Sequence, residues 1–296
     1  MSGSASRTGL LVLVNPAAAR GRALGRLPAV RAELDRLGAE HRVVETRGIE
    51  HAREQAAAAA DAGETVAALG GDGLLRPLAA VLRGSGAALA ILPGGRGNDL
   101  ARVLGIPSDP TVAARVAVEG VERLIDVAEV NGAPYLGIAS FGFDSDANRI
   151  ANETRLVRGK LVYLYAALRA LATWTPAEFV VTVDGDRHEL SGYSVAVANS
   201  SAYGGGMFMA PQAELDDGLL DVVAVGRASK LKFLRVLPRV FKGEHIMDPA
   251  VRTLRGAVVE LAADRPFEIY ADGDPIGAVP ATVSVERRCL SVIVPR

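Results

Sequence analysis

Four residues, Gly70-Gly71-Asp72-Gly73, have the residue types of a phosphate site. They follow a short apolar run, Thr65–Leu69, that reads as a strand. Glycines let a backbone approach phosphates closely and reach conformations closed to other residues. Free N–H groups at the start of the next helix favour anions. Asp72 is the fixed charge there, and a carboxylate beside phosphates usually acts by holding Mg²⁺. A tight turn with a capping Asp has the same letters, so this turn alone leaves both readings open. A second glycine turn, Gly94-Gly95-Arg96-Gly97, ends the next apolar run and leads through Asn98-Asp99 into a helix with Leu100, Val103 and Leu104. Two adjacent strand ends, each offering glycines and an Asp, would build one phosphate-binding cleft. A dinucleotide fingerprint does not fit, because Gly95–Leu100 lacks the last glycine and follows the fourth strand instead of the first. No Walker lysine motif occurs anywhere in the chain.

For these turns to meet, the segments between them must stack as strands and helices. Leu10–Val14 is an apolar run stopped by Asn15-Pro16, which reads as a buried strand entering a turn. Ala23–Leu37 carries Leu24, Leu27, Val30, Leu34 and Leu37 at helical spacing, and Gly38 closes it. A strand over Arg42–Glu45, an Ala-rich helix over about Glu50–Ala62 and the strand Thr65–Leu69 follow. A helix over Leu75–Arg83 and a strand over Ala88–Leu92 complete the series. Strand–helix alternation with short connections implies a parallel sheet covered on both faces. Ligands of such sheets bind at the C-terminal strand ends, where all three turns lie.

Beyond about Leu124 the texture changes. Ile125–Val130, Tyr135–Ala139, Phe179–Val183, Ser194–Ala198, Leu219–Val225, Val258–Ala262 and Phe267–Tyr270 are short β-like runs that read as an antiparallel sandwich. A helix over about Arg158–Ala172 and a basic helix over about Lys230–Phe241 interrupt them. The expected organisation is an α/β domain over residues 1–124, to which 281–296 returns, and a β-rich domain over 125–280.

Composition limits what the chain does. With 33 Lys+Arg against 34 Asp+Glu, nothing in the overall charge argues for nucleic acid. One Cys, Cys289, and four His exclude a disulfide framework and argue against a Cys/His metal cluster. Met1–Thr8 lacks the apolar stretch of a signal peptide and reads as a frayed tail. The longest uncharged run, Leu190–Ala213, contains Asn199, Gly204-Gly205-Gly206 and Pro211, so it is not read as a spanning helix. The expected location is cytoplasmic, with contact at the inner membrane face left open.

Asn15-Pro16, Gly70–Gly73 and Pro93–Arg102, in this order and spacing, resemble the diacylglycerol kinase catalytic domain. More narrowly they are similar to soluble bacterial lipid kinases related to diacylglycerol and sphingosine kinases. Phe141-Gly142-Phe143-Asp144, Asn199–Gly206, Pro211–Asp221 and Asp272-Gly273-Asp274 extend the resemblance over nearly the whole chain. It implies a NAD-kinase-like α/β nucleotide domain, a β-rich lipid domain and a cleft between them. Asn15 and Thr46 then fall near the nucleotide, as do Gly70, Gly71, Asp72 and Gly73 of the phosphate loop. Gly95, Arg96, Gly97, Asn98 and Asp99 form the second nucleotide turn. Asp72 would organise the metal, and Asp217, with the carbonyls of Glu214 and Leu219, would hold a structural Mg²⁺. Asp274 stands where the family places a Glu taken as the base for the lipid hydroxyl.

The implied reaction is ATP-dependent phosphorylation of a lipid hydroxyl, diacylglycerol to phosphatidic acid first among the choices, with Asp72 and Asp274 as catalytic residues. Leu74 replaces the family's Thr, Pro77 a frequent Glu, and Arg96 the Thr of a Gly-Thr-Gly, so hydroxyls are exchanged for an arginine able to pair with phosphate. Ala18-Ala19 stand for Ser-Gly, with Arg20 and Arg22 nearby. Asp274 is shorter than Glu by one bond, roughly 1.5 Å. Without the resemblance, Asp272–Pro275 also reads as a plain hairpin turn. The basic helix interleaves Leu231, Phe233, Leu234, Leu237, Val240 and Phe241 with Lys230, Lys232, Arg235, Arg239 and Lys242. Such a pattern fits either docking on anionic lipid or ordinary packing with a solvated basic face, and Arg155, Arg158 and Lys160 would add to the same patch. Expected partners are ATP, a lipid and a peripheral membrane surface, with a homodimer left open and no nucleic acid. Three rivals stand beside this reading: a sphingoid-base or other lipid kinase, a NAD-kinase-like enzyme sharing the Gly-Gly-Asp-Gly turn, and a homologue that binds without turnover.

Overall fold

The computed structural model describes residues 9–154 and 161–296. The N-terminal tail Met1–Thr8 and the cations Arg155, Arg158 and Lys160 lie outside the described residues. The chain divides into two compact units, Met1–Val127 with Arg287–Arg296, and Ala128–Glu286.

Unit one is the parallel α/β layer that the strand–helix alternation predicts. Strands β1 (Leu10–Val14), β2 (His41–Glu45), β3 (Thr65–Gly70) and β4 (Ala88–Pro93) pair in parallel in the order β2-β1-β3-β4. Ser291–Ile293 continue the sheet in parallel beside Ala88–Ala90. β1, β3 and β4 are buried at every position, as strands covered on both faces must be. Helices α1 (Arg22–Arg36), α2 (Ile49–Asp61) and α3 (Asp72–Leu82) lie between the strands in sequence. α1 buries Ala23, Leu27, Val30 and Leu34 at helical spacing. It also buries Glu33, which Arg36 at 2.8 Å and Arg115 at 2.9 Å neutralise, holding its carboxyl down at about 2. The five-residue α4 (Asp99–Val103) is followed by α5 (Pro110–Glu119) and the strand β5 (Val121–Val130). α5 has a plain start signal: Asp109 accepts hydrogen bonds from Thr111 and Val112 N–H, and Pro110 opens the first turn.

Unit two is antiparallel, as the short β-like runs indicate. It holds β6 (Ala133–Tyr135), β7 (Ile138–Gly142), β8 (Ala177–Val183), β9 (Asp186–Ala198), β10 (Leu220–Gly226), β11 (Val251–Gly256), β12 (Val258–Ala263), β13 (Glu268–Ala271) and β14 (Asp274–Ala278). The first residues of β15 (Ala281–Val294) pair with β12. Strand β9 is the hinge of the architecture. Asp186–Gly192 pair with β8, whereas Ser194–Ala198 lie between β7 and β10. A Cβ on Gly192 would collide with Val225 and Gly226, so the crossing point admits only glycine.

Three elements differ from expectation. Tyr135–Ala139 is two strands, broken at Leu136-Gly137, whose N–H groups turn to the Asp272 side chain. A helix α6 (Phe143–Glu153) fills the place where none was read, and α7 (Leu161–Thr173) follows it. The basic segment stops being α-helical after α8 (Lys230–Val236) and continues as a 3₁₀ turn over Leu237–Lys242, because Pro238 has no N–H to extend the ladder.

The core of unit two is aromatic. Phe143 stands edge-on to Trp174, Tyr193 and Phe233 at centroid distances of 5.7, 6.0 and 4.9 Å. Trp174 and Tyr193 keep their polar ends bonded to Gly192 O and Ala228 O. Phe143→Ala would empty the middle of this cluster and cost about 3–5 kcal/mol. Denaturant unfolding followed by the fluorescence of Trp174, the sole tryptophan, reads this loss. An unchanged midpoint would show that the cluster is not what holds the unit together.

Candidate active site

The first turn follows from β3 without a break. Gly70 ends the strand, Gly71 is extended at φ −110°, and Asp72 is the first residue of α3. Beneath the turn, Leu74 is buried where the sequence comparison expected a hydroxyl; its Cδ2 would lie 3.0 Å from a Cβ on Gly70. Leu74 thus packs the floor and leaves the backbone as the polar surface. Pro77 is buried inside α3 and has no N–H to offer the Gly73 carbonyl.

The second turn is laid directly on the first. Gly94 N–H donates to Gly70 O at 2.6 Å, carrying the β3–β4 pairing past the strand ends. A Cβ on Gly71 would lie 3.0 Å from Gly95 Cα, and a Cβ on Gly95 would collide with Gly71 Cα. Only glycine fits at 95, and a side chain at 71 would have to push the turns apart. A Cβ on Gly94 would meet the Ala23 methyl at 2.9 Å. Asn98, left-handed at φ 50°, folds its side chain back: Oδ1 accepts Gly95 N–H at 2.8 Å and Nδ2 donates to Gly95 O at 3.2 Å. Arg26 ties the loop to the unit by donating to Pro93 O and to Ser108 O.

Two carboxylates converge on this pair of turns. Asp72 Oδ2 and Asp99 Oδ2 would each lie 3.0 Å from a Cβ on Gly97, and Asp99 is buried. Asp72 Oδ1 also accepts Leu100 N–H at 3.4 Å. Two like charges aimed at the space over one glycine favour a divalent cation with oxygen ligands. Arg102 also faces Asp99, its Nε 3.9 Å from Oδ1, so the carboxylates offer a cation at most two side-chain ligands at the turns. Asn15 lies beside them: its N–H donates to Leu69 O at 3.1 Å, and its Cβ would be 3.7 Å from one on Gly70. Thr46, buried after β2, donates its N–H to Val14 O at 2.8 Å, next to Asn15 in the chain. Arg96 is exposed at the tip of the second turn. Unit one thus gathers the residues expected around the nucleotide.

In unit two the expected residues stand on two separate turns. Asp217 Oδ1 accepts Leu219 N–H at 2.8 Å, and Oδ2 is paired with Arg255. Arg255 also lies 3.6 Å from Asp221, a buried carboxyl directly opposite it in the β10–β11 register. Burial pushes the Asp221 carboxyl up, and the guanidinium pulls it back. Glu214 is exposed. Among the described residues no group of three His, Cys, Asp or Glu side chains could hold a metal. The expected structural Mg²⁺ site, the Asp217 carboxylate with the carbonyls of Glu214 and Leu219, thus has Arg255 paired with its one charged ligand. Asp274 is the first residue of β14, exposed, just after the turn Asp272-Gly273.

Comparison with known proteins decides what these turns belong to. Residues 9–130 match the family model of the diacylglycerol kinase catalytic domain, and residues 137–294 match the YegS C-terminal NAD kinase beta sandwich-like domain. A diacylglycerol kinase of Mycobacterium tuberculosis is 35% identical over 294 residues, covering 96% of this chain and 94% of that protein. The chain belongs to the diacylglycerol kinase family of lipid kinases. A Pseudomonas aeruginosa relative named "Probable lipid kinase YegS-like" is 33% identical over 234 residues, 78% of this chain and 76% of that one. The crystal structure of a diacylglycerol kinase from Bacillus anthracis superposes with a TM-score of 0.73 at 21% identity, over 98% of each chain, and shows the shared fold.

One polar group of this lipid kinase escaped sequence reasoning. Asp144, in the first turn of α6, has its Oδ2 sealed from solvent. Burial pushes its carboxyl up to about 6, against the pull of hydrogen bonds from Ser194 and Tyr203. Phe141-Gly142-Phe143-Asp144 signals it, since a lone acid after an aromatic run has little access to water. In the folded chain Asp144 keeps its proton between pH 4 and about 6, where the unfolded chain has lost it. Stability from this group is therefore present at low pH and declines as pH rises through that window. Relative to wild type, Asp144→Asn is expected to flatten that decline by on the order of 1–3 kcal/mol. Thermal melts at pH 4.5 and pH 7 check it; parallel curves for the two proteins would disprove the buried protonation.

Proposed function

We propose that this lipid kinase transfers the γ-phosphate of ATP to the hydroxyl of diacylglycerol, forming phosphatidic acid. The observation that carries the nucleotide part is the contact of two side-chain-free turns, Gly71 on Gly95, with Asp72 and Asp99 aimed at one space above them. Backbone N–H groups at the start of α3 favour the phosphates. Asp72 and Asp99 would hold Mg²⁺, which when bound neutralises charge on the phosphates during transfer. Arg96, exposed at the turn tip, pairs with phosphate in place of a threonine hydroxyl. Asp274 takes the proton of the lipid hydroxyl; the oxygen then attacks the γ-phosphorus, the bond to the bridging oxygen breaks and ADP leaves. The diacylglycerol kinase of M. tuberculosis, matched almost end to end, supports diacylglycerol as the acceptor.

Lipid delivery is assigned to the segment from α8 through the following 3₁₀ turns. Leu231, Phe241 and Met247 are 68%, 55% and 81% exposed there. Lys230 and Lys232 are engaged with Ala172 O and Asp248, leaving the apolar side chains, with Arg235, Arg239 and Lys242, to meet an anionic surface. No helix among the described residues is long and apolar enough to cross a membrane. The double variant Leu231→Ser/Phe241→Ser is expected to sediment less with anionic vesicles while keeping its melting temperature. Equal sedimentation would remove this surface from the proposal.

Radiolabelled ATP with vesicles of diacylglycerol, sphingoid base or phosphatidylglycerol, and NAD as control, tests the reaction. Label in phosphatidic acid is expected, lost by about 10³-fold or more in Asp72→Ala and Asp274→Ala. Gly95→Ala is expected to weaken ATP binding by forcing the two turns apart. Label in NAD alone would replace the lipid reading, and no Asp72-dependent label in any acceptor would leave a binding protein without turnover.

A further inference from the structure

The hairpin that carries Asp274 is fastened by its neighbour. β13 and β14 are joined by Asp272 and Gly273, left-handed at φ 53° and 93°, so the pair Ala271–Asp274 closes the ladder. Asp272 does not point to solvent. Its Oδ2 accepts Leu136 N–H and its Oδ1 accepts Gly137 N–H, both at 2.9 Å. These are the two residues between β6 and β7, next to Ile138. β13 pairs with β7 only at Tyr270–Ser140 and Ala271–Ala139. Where the backbone turns away, the Asp272 carboxylate supplies the acceptors that a continuing strand would have offered.

The other side of the same peptides is also bound. Leu136 O accepts Asn199 Nδ2 at 3.1 Å, and Gly137 O accepts the N–H groups of Asn199 and Ser200 at 3.0 and 3.1 Å. Leu136-Gly137 is thus a rigid plate gripped by Asp272 on its donors and by Asn199-Ser200 on its acceptors. A Cβ on Gly137 would press on Asp272 Oδ1, the far end of that side chain, and displace the carboxylate. Beneath the plate Tyr135 is fully buried and donates to Val197 O at 3.1 Å.

We propose that Asp272 is a positioning residue for catalysis, holding the Asp274 hairpin against the Leu136-Gly137 plate so that Asp274 meets the lipid hydroxyl in one geometry. This rests on the reading of Asp274 as the base. An Asp reaches one bond less far than a Glu, so error in the hairpin is not recovered by side-chain adjustment. Displacement of a reacting group by about 1 Å costs on the order of 100-fold in rate. The carboxylate on two N–H groups is the device that prevents it.

Asp272→Asn replaces one acceptor oxygen by an NH₂ group facing an N–H donor, opening the clamp with little change in volume. Expected is a 10- to 100-fold fall in kcat with KM for ATP and for vesicle-borne diacylglycerol unchanged. In the Asp274→Ala background the same substitution should lower kcat no further. Gly137→Ala, which pushes on the carboxylate from the other partner, should give the same pattern and serves where Asp272→Asn does not fold, with folding checked by circular dichroism. Should Asp274→Ala cut kcat while folded Asp272→Asn or Gly137→Ala does not, or should these substitutions cut it equally in both backgrounds, Asp272 has no positioning role. Should Asp274→Ala itself leave kcat intact, the base assignment fails first and the positioning role falls with it.

Discussion

In unit one everything near the candidate site depends on two backbones touching where side chains are excluded. Strands β3 and β4 are neighbours in a parallel sheet, and their pairing extends through Gly94 N–H to Gly70 O into the turns beyond. At that separation a Cβ on Gly95 would run into Gly71 Cα, and one on Gly71 would press on Gly95 Cα. Glycine is required for the approach itself, since Gly71 has an ordinary extended φ. Once the turns are in contact, the helices that follow them start side by side, and Asp72 and Asp99 are carried into the same space. The buried leucines and alanines of β3 and β4, the small Ala23 under Gly94 and the Arg26 bonds to Pro93 and Ser108 all fix this approach. The electrostatic character of the site is thus a consequence of close packing.

Unit two solves a different problem, the loose backbone groups at the ends of many short strands, and does so with short acids and amides. Asn131, Asp184 and Asp272 are each left-handed, each precede a glycine, and each close a hairpin. Their side chains reach across: Asn131 accepts Thr282 N–H, Asp184 accepts Ala257 and Val258 N–H, and Asp272 accepts Leu136 and Gly137 N–H. A carboxylate bound to two N–H groups is a strong, directional joint. Asp217 has the same habit on Leu219 and pairs its other oxygen with Arg255.

Much of this was legible in the residues, and the failures have physical causes. Parallel strands buried on both faces write themselves as apolar runs, so Leu10–Val14, Thr65–Leu69 and Ala88–Leu92 were placed within a residue of their bounds. The glycine turns were legible because their residue types have few other uses. Helix α6 was not, since Phe143–Glu153 places three acids, two Asn and an Arg among a few apolar residues, and its packing comes from tertiary contacts. The basic helix was read too long because its apolar period continues through Pro238 while its hydrogen bonding cannot. Tyr135–Ala139 looked like one strand because nothing local reveals that a distant Asp272 claims the N–H groups of 136 and 137. Arg255 was invisible as the partner of Asp217 for the same reason, since it is the antiparallel pairing of Arg255 with Asp221 that brings it near.

Asp272 and Asp274 show how far apart the surroundings of two like residues in one short motif can be. Both are carboxylates, two residues apart on one hairpin, and their surroundings differ completely. Asp272 is half-buried with two N–H groups on its oxygens, whereas Asp274 is exposed at the head of β14. Hydrogen bonds to a carboxylate favour its charged form and make it a poor proton acceptor. Asp272 is a structural joint through these two bonds. The αL pair Asp272-Gly273 reverses the chain between the two carboxylates. A slip of the hairpin by one residue would put Gly273 where Asp272 now accepts the two N–H groups and would turn every side chain of β14 to the other face. The register of this hairpin therefore decides which of two identical side chains is bound to the Leu136-Gly137 plate.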